Sequence, residues 1–225
     1  MSIKLHMIFD PLCGWCYAVS PLLKQVQAHF DGKLPLVFHP GLLFAQPNVI
    51  PASYREHIIA ADQHIATLSG MAFGDAYRDR VRTIEELVYY SVPSATAVMS
   101  QADASGYAAL QMLEKVQHAH YVDAADISDM QVLHELATEL GLSANAFNAA
   151  YAKAHADLPA QVQIAHHLLR QAGAQGFPSF ILESDGLFQR LNHSVAYQDS
   201  TRFLLEIERV WEKDELQKDE LLIAS

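Results

Sequence analysis

Cysteine is nearly absent from this sequence of 225 residues, which contains only two. Two cysteines are too few to hold a small secreted domain together, so the sequence excludes a disulfide-rich scaffold. Basic residues are also scarce, with 15 Lys and Arg against 26 Asp and Glu and a formal charge of −11. Because no basic patch stands out, we expect neither nucleic acid nor an anionic membrane surface as a partner.

Long apolar segments are absent as well. No run reaches the roughly 18 residues that a membrane span requires, and the apolar stretch within residues 1–9 is too short for the core of a signal peptide. We therefore expect a cytoplasmic protein without a membrane partner. With 51% hydrophobic and 18% charged residues, the composition favours a globular chain with a substantial core.

The two cysteines, Cys13 and Cys16, are separated only by Gly14 and Trp15. They lie between a short apolar run over residues 3–9, which predicts a buried strand, and a segment over 14–30 with the apolar spacing of a helix. Pro21 is expected to kink that helix. A second apolar run over 34–39 completes a β-α-β unit, which implies two parallel strands.

The middle of the chain loses strand-like alternation and is rich in alanine, leucine, glutamine and histidine. Helices are predicted there over 54–69, 73–82, 94–104, 107–122, 129–141, 144–156 and 159–172. Strands return over 179–183 and 187–191 around an Asp-Gly turn, and a helix over 199–213 closes the chain. The predicted order is β-α-β, a helical insertion, then β-β-α, with one domain formed by residues 1–50 and 174–225 and an inserted helical domain over 51–173.

The spacing of Cys13 and Cys16 places them on one face of a helix, where they can cycle between a dithiol and a disulfide. The helix N-terminus favours a thiolate at Cys13, which predicts an exposed nucleophile there. Cys16, one turn deeper, is expected to be the buried resolving thiol that releases product. A zinc half-site, an inert structural disulfide and a pair of ordinary core thiols are the alternatives. No second Cys-x-x-Cys completes a zinc site, so no metal is expected.

A second element of interest is Phe177-Pro178, which follows a glycine and precedes a predicted strand. Proline at this position is compatible with an ordinary strand start. In a β-α-β redox fold it is instead typical of a cis-proline that faces the cysteine pair. The backbone of Phe177 would then pair with an extended substrate. We predict that Trp15, Phe177 and Pro178 bind substrate.

Three stretches carry a resemblance to a known family: Asp10-Pro-Leu-Cys-Gly-Trp-Cys-Tyr17, Ala119-His-Tyr-Val122 with Asp126-Ile-Ser128, and Gly176-Phe-Pro-Ser-Phe180. Together they resemble the DsbA-like thioredoxin-fold family, in particular its FrnE-like branch of predicted dithiol-disulfide isomerases. The resemblance covers essentially the whole chain. It implies an α/β thioredoxin fold with a large all-helical insertion. It also implies a thiol–disulfide oxidoreductase or isomerase without a prosthetic group, acting on protein or small-molecule disulfides. By motif, Cys13 is the nucleophile, Cys16 the resolving thiol and Pro178 the cis-proline.

The sequence departs from secreted DsbA enzymes in the dipeptide between the cysteines. Gly14-Trp15 replaces their Pro-His and contains no cation to stabilise a thiolate at Cys13. We therefore expect a less oxidising pair than that of periplasmic DsbA. His6 and His39 lie on the two predicted strands, and we interpret both as structural.

Two other functions remain open from the sequence. Kappa-class glutathione transferases and 2-hydroxychromene-2-carboxylate isomerases have a similar architecture but usually place a serine where this chain has Cys13, and two intact cysteines argue against that function. Glutathione remains a candidate reductant for Cys13. A chaperone-like binding protein is the other alternative, using a groove lined by apolar residues: Trp15, Tyr17, Leu42, Leu43, Phe44 and Phe177. The direction of disulfide exchange and the oligomeric state stay undecided.

Overall fold

The computed structural model describes residues 3–197 and 199–223. In chain order the elements are β1 (Lys4–Phe9), α1 (Gly14–Ala18), α2 (Ser20–His29), β2 (Leu36–Pro40), β3 (Asn48–Val49), α3 (Ala52–Ser69), α4 (Asp75–Thr83), β4 (Val88–Tyr89), α5 (Val92–Met99), α6 (Tyr107–Tyr121), α7 (Met130–Glu139), α8 (Ala144–Gln171), β5 (Ser179–Ser184), β6 (Leu187–Leu191), a 3₁₀ turn (His193–Ala196) and α9 (Thr201–Ile223). None of the described helices is long and apolar enough to cross a membrane.

A four-stranded sheet in the order β2-β1-β5-β6 forms the centre of the molecule. Strands β1 and β2 are parallel, as the β-α-β pattern predicts, and β5 pairs antiparallel with β1 so that Met7 lies opposite Phe180. Strands β5 and β6 form the predicted hairpin across the Asp-Gly turn, with Ser184 opposite Leu187. This arrangement, with helices α3 to α8 inserted between β2 and β5, confirms the predicted α/β thioredoxin fold with a helical insertion.

The two faces of β1 bury different parts of the core. Leu5, Met7 and Phe9 share a core with both cysteines. Ile8 points to the opposite face, because successive side chains of a strand alternate, and packs with residues of α8 and with Ile181. The cysteine pair therefore lies on one face of the sheet, and α8 covers the other.

The chain between β2 and β5 is not purely helical. Strands β3 and β4 form a short antiparallel ribbon in which Asn48 pairs with Tyr89 and Val49 with Val88. Two residues per strand are too few to produce a recognisable alternation in the sequence. The proposed division at residues 51–173 stays a prediction, and residues 1, 2, 198, 224 and 225 lie outside the described part of the chain.

Several of the predicted helix boundaries are wrong. The helix predicted over 94–104 ends at Met99, and the closing helix predicted over 199–213 continues to Ile223. The predicted interruption near Pro21 is present, but it is a break rather than a kink: the helix predicted over 14–30 is divided at Val19, and Pro21 occupies the first turn of α2, where a missing N–H costs nothing.

The helices predicted over 144–156 and 159–172 are one continuous helix, α8, with Pro159 inside it. His155 and Pro159 are both exposed, so water can satisfy the carbonyl that the proline leaves without a partner. Buried apolar residues on both sides of Pro159 hold the two halves of α8 on the core: Phe147, Leu158, Ala165 and Leu168.

Several histidines are buried in the fold. Burial lowers the pKa of His39 to about 3 and that of His120 to about 3. Burial also lowers the pKa of His193 to about 4 and the pKa of His6 below its ordinary value. Burial acts in the opposite sense on Asp62, whose pKa it raises to about 6.

These shifts predict a loss of stability in mild acid. Below pH 6.5 the unfolded chain binds protons that folded His39 and His120 do not, so each lowers the unfolding free energy by about 2 kcal/mol at pH 5. Asp62 binds its proton more tightly in the folded state, which raises the unfolding free energy by about 1 kcal/mol at pH 5. His193, with a folded pKa of about 4, lowers the unfolding free energy by about 2 kcal/mol more at pH 5. We expect a net loss of about 4–5 kcal/mol between pH 7 and pH 5, measured by urea unfolding. His120→Leu should remove about half of the dependence, whereas a flat profile for the unsubstituted protein would contradict the prediction.

Candidate active site

Cys13 lies at the junction between β1 and α1. Its backbone is extended and its N–H donates to the carbonyl of Asp10 at 3.1 Å, which fixes the cysteine just before the first turn of α1. The Cys13 thiol donates to the carbonyl oxygen of Phe177 at 3.4 Å, across a sequence separation of 164 residues. The fold thus brings together the two elements that the sequence singled out.

The two thiols differ less in exposure than predicted. Cys13 is 8% exposed and Cys16 is fully buried, and both are free cysteines. The prediction of a freely exposed Cys13 is therefore wrong, because Phe177 lies against it on one side and α3 packs beside Gly14 on the other. The order of access is nevertheless as predicted, with Cys13 in front of Cys16.

The surroundings of Cys16 keep it protonated. Burial raises its pKa well above the ordinary value for a thiol, and the neighbouring Cys13 thiol raises it further. A protonated, buried Cys16 cannot compete with Cys13 for an incoming disulfide, because only a thiolate attacks.

Helix α1 stabilises a thiolate at Cys13 less than a long helix would. It has five residues and ends at Val19, where the chain restarts as α2. Since the helix dipole is the sum of aligned peptide units, only this one turn is aligned behind Cys13. The dipole at Cys13 is therefore smaller than the one expected from a continuous helix over 14–30.

The Phe177–Pro178 peptide bond is cis, as predicted, and Pro178 is buried. The ring of Phe177 lies directly over Gly41, where an added Cβ would stand 2.0 Å from the ring. The Phe177 side chain is therefore packed into the fold, and it is its carbonyl that faces Cys13. Pairing of this backbone with a substrate stays a prediction.

Trp15 lies between α3 and the residue that follows the 3₁₀ turn. Its ring is 6.0 Å from the ring of His64 on α3 and 5.2 Å from the ring of Tyr197. Trp15 and Cys13 both line an open cleft of about 490 Å³, together with Leu43 and Phe44. Phe177 and Pro178 do not line this cleft, so the predicted substrate-binding residues are placed on two sides of Cys13.

The cleft also contains polar residues that the sequence did not identify. Asp62 of α3 lines it and is 7% exposed. Tyr77 donates to Asp62 Oδ2 at 2.7 Å, and its hydroxyl oxygen is 3.4 Å from that of Tyr89. A signal was present, because Asp62 occupies the buried stripe of α3 between Ile59 and Ile65, where a carboxylate is out of place.

Asp10 is the other residue whose role the sequence did not reveal. It is fully buried, and its carboxylate accepts from the backbone N–H of Leu12 at 2.7 Å and of Leu43 at 2.8 Å. The Ser91 hydroxyl donates to the same carboxylate and accepts from Phe44 N–H at 3.2 Å. Burial raises the pKa of Asp10 despite these hydrogen bonds. The Asp-Pro-x sequence, typical of an Asx turn, was the available signal.

His6 and His39 do not approach the cysteines. Their ring nitrogens Nδ1 and Nε2 are 2.9 Å apart, and His6 Nε2 lies 2.8 Å from Glu183 Oε2. Their face of the sheet is the one covered by α8, opposite the cysteine core. The interpretation of both as structural agrees with these contacts.

Comparison with known proteins identifies the family. The sequence model described as "DSBA-like thioredoxin domain" matches residues 4–196. A structure of the cytosolic disulfide reductase DsbM from Pseudomonas aeruginosa is 34% identical, with a TM-score of 0.80, and the alignment covers 92% of this chain and 97% of DsbM. A second DsbM structure, solved with GSH, is 33% identical with a TM-score of 0.78 and covers 92% of this chain and 98% of that one.

Two more distant proteins share parts of this likeness. The ClpXP adapter protein SpxH of Bacillus subtilis is 24% identical over 147 residues, which are 64% of this chain; the chain spans about half of the adapter, 47% of its length. A 2-hydroxychromene-2-carboxylate isomerase is 14% identical with a TM-score of 0.55, over 97% of this chain and 98% of that one, and shows the fold alone.

The family match and the reductase structure confirm the prediction of a disulfide oxidoreductase at the level of enzyme class. The predicted resemblance, drawn from the cysteine motif and the Gly176-Phe-Pro-Ser-Phe180 stretch, is confirmed as well. The chain belongs to the DSBA-like thioredoxin domain family.

Proposed function

We propose that this protein is a cytosolic thiol–disulfide reductase that uses Cys13 as nucleophile and Cys16 as resolving thiol. The observation that carries the proposal is the position of Cys13, at the wall of an open cleft and in front of a fully buried Cys16. The likeness to DsbM, which is named a cytosolic disulfide reductase, supports both the reducing direction and the compartment.

The reaction follows from the order of the two thiols. The Cys13 thiolate attacks one sulfur of a substrate disulfide, forming a mixed disulfide and releasing the first thiol. Cys16 then loses its proton and attacks Cys13 Sγ, which releases the second thiol and leaves a Cys13–Cys16 disulfide. The raised pKa of Cys16 keeps it from reacting first. Trp15 and the Phe177–Pro178 turn bind the substrate on either side of Cys13.

Glutathione is the reductant we propose for the spent enzyme. Two molecules reduce the Cys13–Cys16 disulfide, the first by forming a mixed disulfide and the second by releasing oxidised glutathione. The structure of DsbM with GSH supports this choice. We propose no prosthetic group and no metal, and both protein and small-molecule disulfides as substrates.

Measurement of the reduction potential, combined with insulin reduction by glutathione, tests the proposal. Because neither Gly14 nor Trp15 carries a cation that would stabilise reduced Cys13, we expect a potential between about −180 and −270 mV. We also expect glutathione-dependent insulin reduction. Trp15→His introduces a group that can stabilise the Cys13 thiolate, so this variant should have a potential less negative by about 30 mV or more than the unsubstituted protein. A potential near −120 mV, typical of DsbA, or an absence of insulin turnover would contradict a reductase.

A further inference from the structure

The cleft beside Cys13 contains a buried carboxylate that the reaction does not use. Of the residues that line it, all of them within the described part of the chain, Asp62 is the one acid, and no lysine or arginine is among them. The rest of the lining is mainly apolar and aromatic, including Leu43, Ile58 and Tyr121. Because Asp62 is only 7% exposed, water screens its charge little, and the charge interacts strongly with a group that reaches it.

Asp62 has one oxygen engaged and one oxygen free. Oδ2 accepts the hydrogen bond from Tyr77, and no described residue donates to Oδ1. No lysine, arginine or histidine of the described chain forms an ion pair with Asp62, although this side chain is 7% exposed. Buried carboxylates are normally paired with a cation. Asp62 can therefore bind a cationic group from a ligand, since no cation of the described chain is paired with it.

The free oxygen lies beside Gly14, at the start of α1. It lies 2.9 Å from the position that a Cβ on residue 14 would occupy, and residue 14 directly follows Cys13. Because residue 14 has no side chain, α3 can pack closely against the start of α1, and an added Cβ would also stand 2.8 Å from Ile65 Cδ1. This gives the glycine of the Cys-Gly-Trp-Cys motif a role that depends on α3.

We propose that this cleft is a subsite for substrates whose disulfide sulfur carries a short ammonium-bearing chain, with Asp62 as the residue that selects the positive charge. The inference rests on the proposed reductase function and specifies its small-molecule substrates. An aliphatic linker fits the apolar walls formed by Leu43 and Ile58, and the ammonium group reaches Asp62 Oδ1. A substrate with a carboxylate in the same place meets the charge of Asp62 and finds no lysine or arginine among the described lining residues, where His57 is the one histidine.

Cystamine and 3,3′-dithiodipropionate are matched probes, because both are short symmetric disulfides and their charges are opposite. Reduction of cystamine consumes two electrons from Cys13 and Cys16, releases two cysteamine molecules and leaves the enzyme disulfide for two glutathione molecules to reduce. At pH 8 we expect kcat/KM for cystamine to exceed that for the dicarboxylate by about tenfold or more. In Asp62→Asn, which keeps an acceptor for Tyr77, the ratio should fall at least about fivefold, mainly through the KM of cystamine.

Glu56→Gln is the matched control. Glu56 lies on the same helix, exposed and paired with Arg82 outside the cleft, and its replacement changes the net charge by the same single unit. The ratio should stay within about twofold of the unsubstituted protein. A ratio that falls equally in both variants would assign the preference to the overall charge of −11 and overturn the proposal.

Gly14→Ala provides a second variant if Asp62→Asn does not fold. Its methyl group would stand 2.8 Å from Ile65 Cδ1 and 2.9 Å from Asp62 Oδ1, so it covers or displaces that oxygen, and the preference for cystamine should fall there too. Unchanged preference in Asp62→Asn, or equal rates for the two probes in the unsubstituted protein, would overturn the subsite. If insulin is reduced but cystamine is not preferred, this inference alone fails; if neither insulin nor cystamine is reduced, the reductase function fails with it.

Discussion

Replacing Cys13 with serine is expected to lower kcat/KM for insulin reduction by about 1,000-fold or more. Serine keeps the size of the side chain but has no thiolate, and the buried Cys16 cannot substitute because burial holds it in the protonated form. The loss should appear with every disulfide substrate, since the same sulfur attacks each of them. Stopped-flow measurement of a single turnover by the prereduced protein separates this effect from slow recycling by glutathione.

Cys16→Ser is the informative partner of that variant. The first step remains, so the substrate should stay attached to Cys13 as a mixed disulfide, because no second thiol releases it. Mass spectrometry should detect about one adduct per chain in Cys16→Ser and none in Cys13→Ser. An adduct on Cys16 in the Cys13→Ser protein would reverse the assigned roles. Full glutathione-dependent activity in Cys16→Ser would instead favour a transferase over a dithiol reductase.

The parts of the site that the sequence predicted are those marked by local signals. An apolar run followed by Asp10-Pro11 ends a strand, two cysteines follow at once, and Phe177-Pro178 begins a later strand. Each signal depends on residues that are close in the chain, so it can be recognised without knowledge of the packing. Their meeting, with Cys13 at 3.4 Å from the Phe177 carbonyl, followed from the fold class.

The parts that were missed depend on contacts between distant segments. Asp62 lines the cleft because α3 packs on Gly14, a contact across almost fifty residues that periodicity does not reveal. The same limit explains the continuous helix α8, since the core against which its two halves pack comes from other elements. Propensity suggested a break at Pro159, and tertiary packing overrode it.

Asp10 is the residue whose loss should most weaken the fold around the cysteines. It connects the turn that positions Cys13 with the segment containing Leu43, which forms part of the cleft wall. Asp10→Ala leaves the N–H groups of Leu12 and Leu43 without their acceptor, and each such group costs about 1–3 kcal/mol when buried. We expect the unfolding free energy to fall by about 3–5 kcal/mol, measured by urea unfolding at pH 7.

The raised pKa of Asp10 does not weaken this expectation. Burial makes the charged carboxylate less favourable than in water, yet a protonated carboxyl still accepts hydrogen bonds through its remaining lone pairs. Alanine accepts none in either case. Asp10→Asn retains one carbonyl acceptor and should lose about half as much stability, while Ser91→Ala, which removes the third partner, should lose about 1 kcal/mol. A loss below about 1 kcal/mol in Asp10→Ala would contradict the role of this carboxylate as the link between the cysteine turn and the cleft wall.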